Sequence, residues 1–168
     1  DGNTLTLDYQ DDQLGAATIT IRATSNGKIV DDSFTVTVNE LPDYTVTFQT
    51  DGTDGATLAG TTNQTIEHGD DCAAVTANEP AGYSFVNWTG TGDFETTADN
   101  PLTVTGVTSD LTITANYRVV VVRVDAAQTD NSGSGDSWAT AKRDVQAAIA
   151  AVVSAGGGEV WVKAGAYY

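Results

Sequence analysis

Gly82-Tyr-Ser-Phe-Val-Asn-Trp-Thr-Gly90 is followed by Asn100-Pro-Leu-Thr-Val-Thr105 and by Asp110-Leu-Thr-Ile-Thr-Ala-Asn-Tyr117. Tyr83 and Phe85 alternate, Trp88 follows, and the two later runs repeat every second residue, the period of a strand with one face buried. Nothing in these stretches is reactive. They predict an aromatic-anchored antiparallel β-module whose anchors are Tyr83, Phe85, Trp88, Leu102, Leu111, Ile113 and Tyr117.

The pattern extends over the whole chain. Thr makes up about one residue in six, mostly in Val-Thr, Ile-Thr and Leu-Thr runs. A β-branched polar residue suits the wet face of a half-buried strand, so the fold class is mainly β. With 40% hydrophobic residues among 168, the chain can bury a real core. The formal charge of −16 makes phosphate backbones and anionic lipid poor partners. Nucleic acid and membrane insertion are therefore not expected, and no apolar run reaches the length of a spanning helix. Between Tyr44 and Tyr117 there is no Lys or Arg, but ten Asp and Glu residues. The chain has no Met and no secretory leader, as expected of a mature or excised piece of a longer protein. Cys72, the single cysteine, cannot form an internal disulfide and reads as a small residue at a strand start.

Working outward, three units emerge. Residues 1–41 predict three strands, Thr4–Asp8, Ala17–Ala23 and Ser33–Val38, with Asn26-Gly27 as a hairpin turn. This segment resembles the last three strands of a cadherin-like β-sandwich, so a partial Ig/cadherin-like sandwich is expected. Residues 42–118 open with Tyr44-Thr-Val-Thr-Phe48, whose Tyr44, Val46 and Phe48 share a face. Asp51–Gly60 reads as a loop or weak hairpin. Gln64–Glu67, Ala73–Ala77, Tyr83–Trp88, Leu102–Thr105 and Leu111–Tyr117 read as strands. In its opening strand, its Gly-Tyr-x-Phe-x-x-Trp core, its Asn-Pro-Leu phrase and its closing strand, this unit is similar to the divergent internalin-type B-repeat. The resemblance implies a small β-grasp-like module used as a spacer or protein contact, without catalysis. Residues 119–168 predict an apolar strand at Val119–Val124 and a polar loop at Asp130–Asp136. A helix over Asp144–Ala155 follows, with Val145, Ala148, Ile149, Val152 and Val153 on one face. Gly156-Gly-Gly158 stops it, and a strand over Glu159–Gly165 ends the unit. This order resembles the N-terminal cap of a pectate-lyase-like right-handed parallel β-helix, and implies that coils begin where the sequence stops.

Candidate chemistry is sparse. His68 is the only histidine and sits between Glu67 and Gly69, as in a turn. One Cys and one His cannot close a zinc site. The pairs Asp11-Asp12, Asp31-Asp32 and Asp70-Asp71 are sequence neighbours in turns, not carboxylates facing each other across a saccharide cleft. Calcium is the better use of the acids: Asp8, Asp11, Asp12, Asp31 and Asp32 could offer it oxygen ligands, a bare acidic surface being the alternative. No cofactor is otherwise indicated. Trp88, Trp138 and Trp161 invite a carbohydrate-stacking reading, against burial for Trp88 and, for Trp138, pinning of the loop beneath it. The sequons at Asn63 and Asn87 are treated as chance.

The expectation is a non-catalytic spacer of a large secreted or cell-surface protein, joining or presenting larger domains. Its partners would be neighbouring domains, other copies, a carbohydrate or a cell-surface protein. Two alternatives stand. One is the front of a β-helix polysaccharide lyase or hydrolase with its active site downstream. The other is a filament or sheet subunit completed by strand exchange.

Overall fold

The computed structural model describes residues 5–7 and 14–167, which divide into a unit ending at Pro42 and a second from Asp43 onward. In the first, β1 (Gly15–Ser25) and β2 (Lys28–Val38) form one antiparallel hairpin. Asn26 and Gly27 turn it with φ of 50° and 75°, the left-handed pair that a two-residue type I′ turn requires. Both strands run longer than the alternating cores read from sequence, because the Ser25–Lys28 pair directly at the turn lets the ladder close fully. Of the expected Thr4–Asp8 strand, Leu5, Thr6 and Leu7 are not in a strand, and Thr4 and Asp8 lie outside the described residues.

Register splits the hairpin into two unlike faces. Ala17 pairs with Val36, Ile19 with Phe34, Ile21 with Asp32 and Ala23 with Val30 on one side. Thr18 with Thr35, Thr20 with Ser33 and Arg22 with Asp31 occupy the other. The polar face is bonded across the strands, through Thr20 to Ser33 at 2.8 Å and through the Arg22 guanidinium to both Asp31 oxygens at 2.8 Å. The apolar face is open: Ile21 and Phe34 are exposed.

The second unit contains β3 (Asp43–Thr50), β4 (Thr57–Ala59), β5 (Asn63–Glu67), β6 (Thr76–Asn78), β7 (Tyr83–Gly90), β8 (Leu111–Val119), β9 (Val121–Val124), α1 (Val145–Ser154) and β10 (Glu159–Val162). A mixed sheet runs in the order β5-β3-β8-β7, with the central pair β3 and β8 parallel and both outer pairs antiparallel. Taken in chain order, its strands lie second, first, fourth, third, which is the β-grasp arrangement. Its covered face presents Val46, Phe48, Trp88, Leu111, Ile113 and Ala115. The cover is the small β4-β6 pair and two irregular segments, which supply Cys72, Val75, Ala77, Leu102 and Val107.

Here the structure corrects the expected Leu102–Thr105 strand, of which only a single bridge, Leu102 to Val75, remains. Residues 102–107 run beside 69–75 through widely spaced bonds: Val75 and Leu102 exchange both, Cys72 N–H reaches Val104 O at 2.8 Å, and Val107 N–H reaches Asp70 O at 2.9 Å. Leu102, Val104 and Val107 still point inward, but the backbone pairs too sparsely to form a ladder. Cys72 is likewise buried core on an irregular segment, not a strand start.

The spacing Phe85-x-x-Trp88 breaks strict alternation, and a bulge resolves it. Phe85 pairs with Tyr117, Val86 is the extra residue, and Trp88 pairs with Ala115. The bulge puts Phe85 and Trp88 on one face. Trp88 is fully buried, edge-on to Phe48 at 6.0 Å, and its indole N–H donates to Asp99 O at 3.0 Å. Phe85 and Tyr117 pack against this core half-buried, and Leu102, Leu111 and Ile113 lie within it. Tyr83 does not join the cluster: it is half-buried at the start of β7, where the sheet ends opposite Val119.

The expected division at 118/119 falls inside this unit. β8 runs on to Val119, Val120 N–H bonds Gly82 O at 2.8 Å, and β9 begins one residue later. β9 and β10 are parallel, with α1 between them in sequence and packed on Val122 and Val124. The helix buries Ala148 and Val152, with Val145 and Ala151 beside them, while Ile149 and Val153 are exposed. The buried stripe is thus narrower than the sequence suggests, since two short strands cannot cover five positions. Asp144 is the N-cap, accepting from Ala147 N–H at 2.8 Å. A Schellman motif ends the helix, with Gly157 N–H to Val152 O and Gly156 N–H to Val153 O, both 3.0 Å.

Candidate interaction surface

The most differentiated surface of the second unit lies on the outer side of β9 and β10. Successive strand residues face opposite ways, so with Val122 and Val124 under the helix, Arg123 turns outward beside its register partner Trp161. The loop 130–140 closes over the far edge of β9: Arg123 N–H bonds Gly135 O at 2.8 Å, and Gly135 N–H bonds Thr140 O at 2.7 Å. Gly135 has φ of +87°, and a Cβ there would come within 2.5 Å of Val122 Cγ1, so this approach needs glycine. The loop also carries Trp138 to within reach of Arg123.

The guanidinium carbon of Arg123 lies 5.2 Å from the Trp161 ring centre and 5.8 Å from that of Trp138, within cation–π range of both. Its Nη1 also donates to the Asp136 backbone carbonyl. The Trp161 indole N–H donates to Glu159 Oε2 at 2.6 Å. Both indoles remain open to solvent, Trp138 at 44% and Trp161 at 46% exposure. Trp138 is therefore not buried beneath the loop; its ring lies exposed within reach of Arg123.

Beside this ridge lies a cleft of about 360 Å³ lined by Ser84, Arg118, Ser134, Asp136 and Trp161, with Val119 to Arg123 along its floor. The Asp136 carboxylate accepts from Thr140 Oγ1 at 2.6 Å and Ser134 Oγ at 2.7 Å. Those two hydroxyls hold it below the usual carboxylate range, and the charge of Arg118 adds to the effect. Two residues beyond Trp161 and Arg123, Lys163 Nζ meets Asp125 Oδ2 at 2.6 Å. The Lys163 ammonium, then the Ala127 N–H, keep the Asp125 carboxyl low, and Asp125 in turn raises Lys163.

Other candidates fall elsewhere. Asp8, Asp11 and Asp12 lie outside the described residues. Asp31 and Asp32 do not converge: they point to opposite faces of β2, and Asp31 is already engaged by Arg22. Among the described residues no group of three or more His, Cys, Asp and Glu side chains could hold a metal ion. His68 is exposed, with Nδ1 3.4 Å from the Tyr44 hydroxyl. Burial, then the neighbouring Asp71 charge, pushes the Cys72 thiol up, which disfavours its thiolate. A second groove, about 460 Å³, lies over Phe94, Leu102 and Leu111, with Asp93, Glu95 and Asp99 also among its lining residues. Sequence reasoning singled out Trp138 and Trp161 but missed Arg123, which the parallel register sets beside Trp161 and which also lies within reach of Trp138. The apolar run around it was its only local signal.

The fold is mainly β, and among the described residues a mixed sheet of β-grasp order carries the larger of two buried clusters. Residues 44–120 match the family model of the divergent InlB B-repeat domain. That span is somewhat under half of the chain and coincides with the sheet and its cover. No curated protein and no solved structure matches the chain. Among the described residues no helix is long and apolar enough to cross a membrane.

Proposed function

We propose that this chain is a non-catalytic structural segment of a larger secreted or cell-surface protein, in which the B-repeat module spaces and joins its neighbours. The observation that carries this reading is the match of residues 44–120 to the B-repeat family. It agrees with the use of the module's aromatic residues, since Phe48, Phe85, Trp88 and Tyr117 pack on one another. Labelling intact and permeabilised source cells with antibody to the module tests the location. Equal labelling of both is expected, and labelling only after permeabilisation would retire the surface assignment. Replacing residues 43–120 in the parent protein by an unrelated β-module of similar span tests the role. Parent activity should survive if spacing is the task, and a complete loss with the protein still folded and displayed points to chemistry in the module.

A second reading rests on the hairpin. A two-stranded ribbon is marginal by itself, and β1-β2 leaves Ile21, Val30 and Phe34 exposed on one face. Strands from another copy could complete it, which would make the chain a subunit of a filament or sheet. Sedimentation across a wide concentration range decides: growing oligomers that Phe34→Asp abolishes support it, and a monomer throughout ends it.

A further inference from the structure

We propose that the cleft beside the Trp138–Arg123–Trp161 ridge binds a neutral saccharide, a role that goes beyond spacing. Sugars present an apolar C–H face and a rim of hydroxyls, so their sites pair an aromatic plane with fixed polar groups that both donate and accept. Trp161 supplies the plane. It is 46% exposed, and its indole is held by the Glu159 carboxylate on its N–H and by Arg123 at 5.2 Å. Its remaining surface opens into the cleft of about 360 Å³, room for one or two sugar rings.

The polar groups are of both kinds. Arg118 lines the cleft and makes no salt bridge among the described residues, so its guanidinium is available to donate. Asp136 is exposed and stays ionised through its Thr140 and Ser134 hydrogen bonds, so its carboxylate accepts from sugar hydroxyls. Ser84 adds a hydroxyl from the B-repeat side.

Charge selects the class of saccharide. Arg123 is already committed to the two indoles and to the Asp136 carbonyl, which leaves one cation facing one fixed carboxylate. With a formal charge of −16 behind them, this balance disfavours uronates and sulfated glycans. An acidic peptide is disfavoured for the same reason.

Calorimetry and tryptophan fluorescence on the whole chain test the site. The probes are β-linked tetrasaccharides of glucose and of N-acetylglucosamine, with a galacturonate tetrasaccharide as the anionic comparison. At least one neutral probe should bind with a dissociation constant near the millimolar range. Trp161→Ala should weaken it about tenfold or more and Arg118→Gln about threefold or more, while Trp161→Phe keeps most of the affinity. Circular dichroism checks that each variant is folded. Three results overturn the assignment: no signal from either neutral probe up to about 10 mM, unchanged affinity in folded Trp161→Ala, or tighter binding of galacturonate than of both neutral sugars.

Discussion

Trp88 reaches the core only because Val86 is squeezed out of register, and its N–H is then satisfied by the Asp99 carbonyl. Removing the indole from a fully buried site leaves a cavity ringed by Phe48 and Phe85 and an unpaired carbonyl. Trp88→Ala should therefore lower unfolding free energy by about 3–5 kcal/mol in urea denaturation. Tyr83→Ala, at the half-buried strand start, should cost less than half as much. An equal loss from both would mean that the cluster extends to the end of the sheet. Gln64 holds the module by a different means: its Oε1 accepts from Ala73 N–H at 2.7 Å, and its Nε2 donates to Thr61 O and Ala73 O, each at 2.9 Å. Gln64→Leu strands these backbone groups in a buried site and should cost about 1–3 kcal/mol; a neutral result in the same assay would show that water replaces the amide. Phe85, Trp88 and Tyr117 were legible because large apolar groups at strand spacing have few places to go; Tyr83 fits the same pattern, but the sheet ends before it can be covered. Gln64 was not, since a glutamine in a Thr-rich run looks like any solvated strand residue. Only the backbone it clips explains it.

At the level of elements, alternation located every strand of the mixed sheet, and the three glycines after Ala155 located the helix stop. Two errors share one cause. Leu102–Thr105 has strand periodicity but an irregular neighbour that bonds it at too few points for a ladder, and the helix has five apolar positions but only two short strands beneath it. Periodicity states which side chains want burial, whereas the partner decides how many achieve it and in what backbone form. The parallel β9-β10 register, and with it the placement of Arg123 beside Trp161, depends on residues 38 apart in sequence. No local pattern carries that. The junction between module and helix depends on close backbone approach: Gly82 N–H bonds Ala155 O at 3.0 Å, and a Cβ on Gly156 would lie 2.9 Å from Ala81 Cβ. Gly156 also has φ of +79°. Gly156→Ala should lose about 1–2 kcal/mol from the left-handed conformation alone. Hydrogen exchange should show the loss at both the helix C-terminus and the 80–82 turn. Faster exchange in the helix alone would mean that the two do not share a stability unit.

For the whole molecule, two electrostatic effects oppose each other as pH falls, and their order can be predicted. Asp31, Asp51, Asp125, Asp130, Asp136 and Asp144 all titrate below their ordinary value. The causes are local: Arg22 for Asp31, Lys163 for Asp125, the Ala147 N–H for Asp144. At Asp51 burial pushes up, but the Tyr117 and Thr53 N–H groups outweigh it. A lowered folded pKa contributes stability that is complete above the unfolded value, about 3.9, and is lost as pH drops through the folded one. Lys163 works in the opposite sense: raised by Asp125, its contribution is complete below about 10.4 and fades as pH climbs through its folded value. Against these stands self-repulsion, strongest in the stretch 44–117 with its ten acids and no Lys or Arg. Acid reduces the net negative charge and so relieves this repulsion, and it does so before the lowered aspartates lose their charge. The melting temperature at low salt should therefore rise slightly from pH 7 to about pH 4.5, then fall steeply below about pH 3.5. Sodium chloride should raise it at pH 7 by screening, with most of the gain complete by about 0.5 M, and should flatten the rise toward pH 4.5. Scanning calorimetry over that grid is the check. A melting temperature that falls steadily from pH 7 at low salt, or that salt depresses at neutral pH, would show that the paired aspartates outweigh the repulsion throughout.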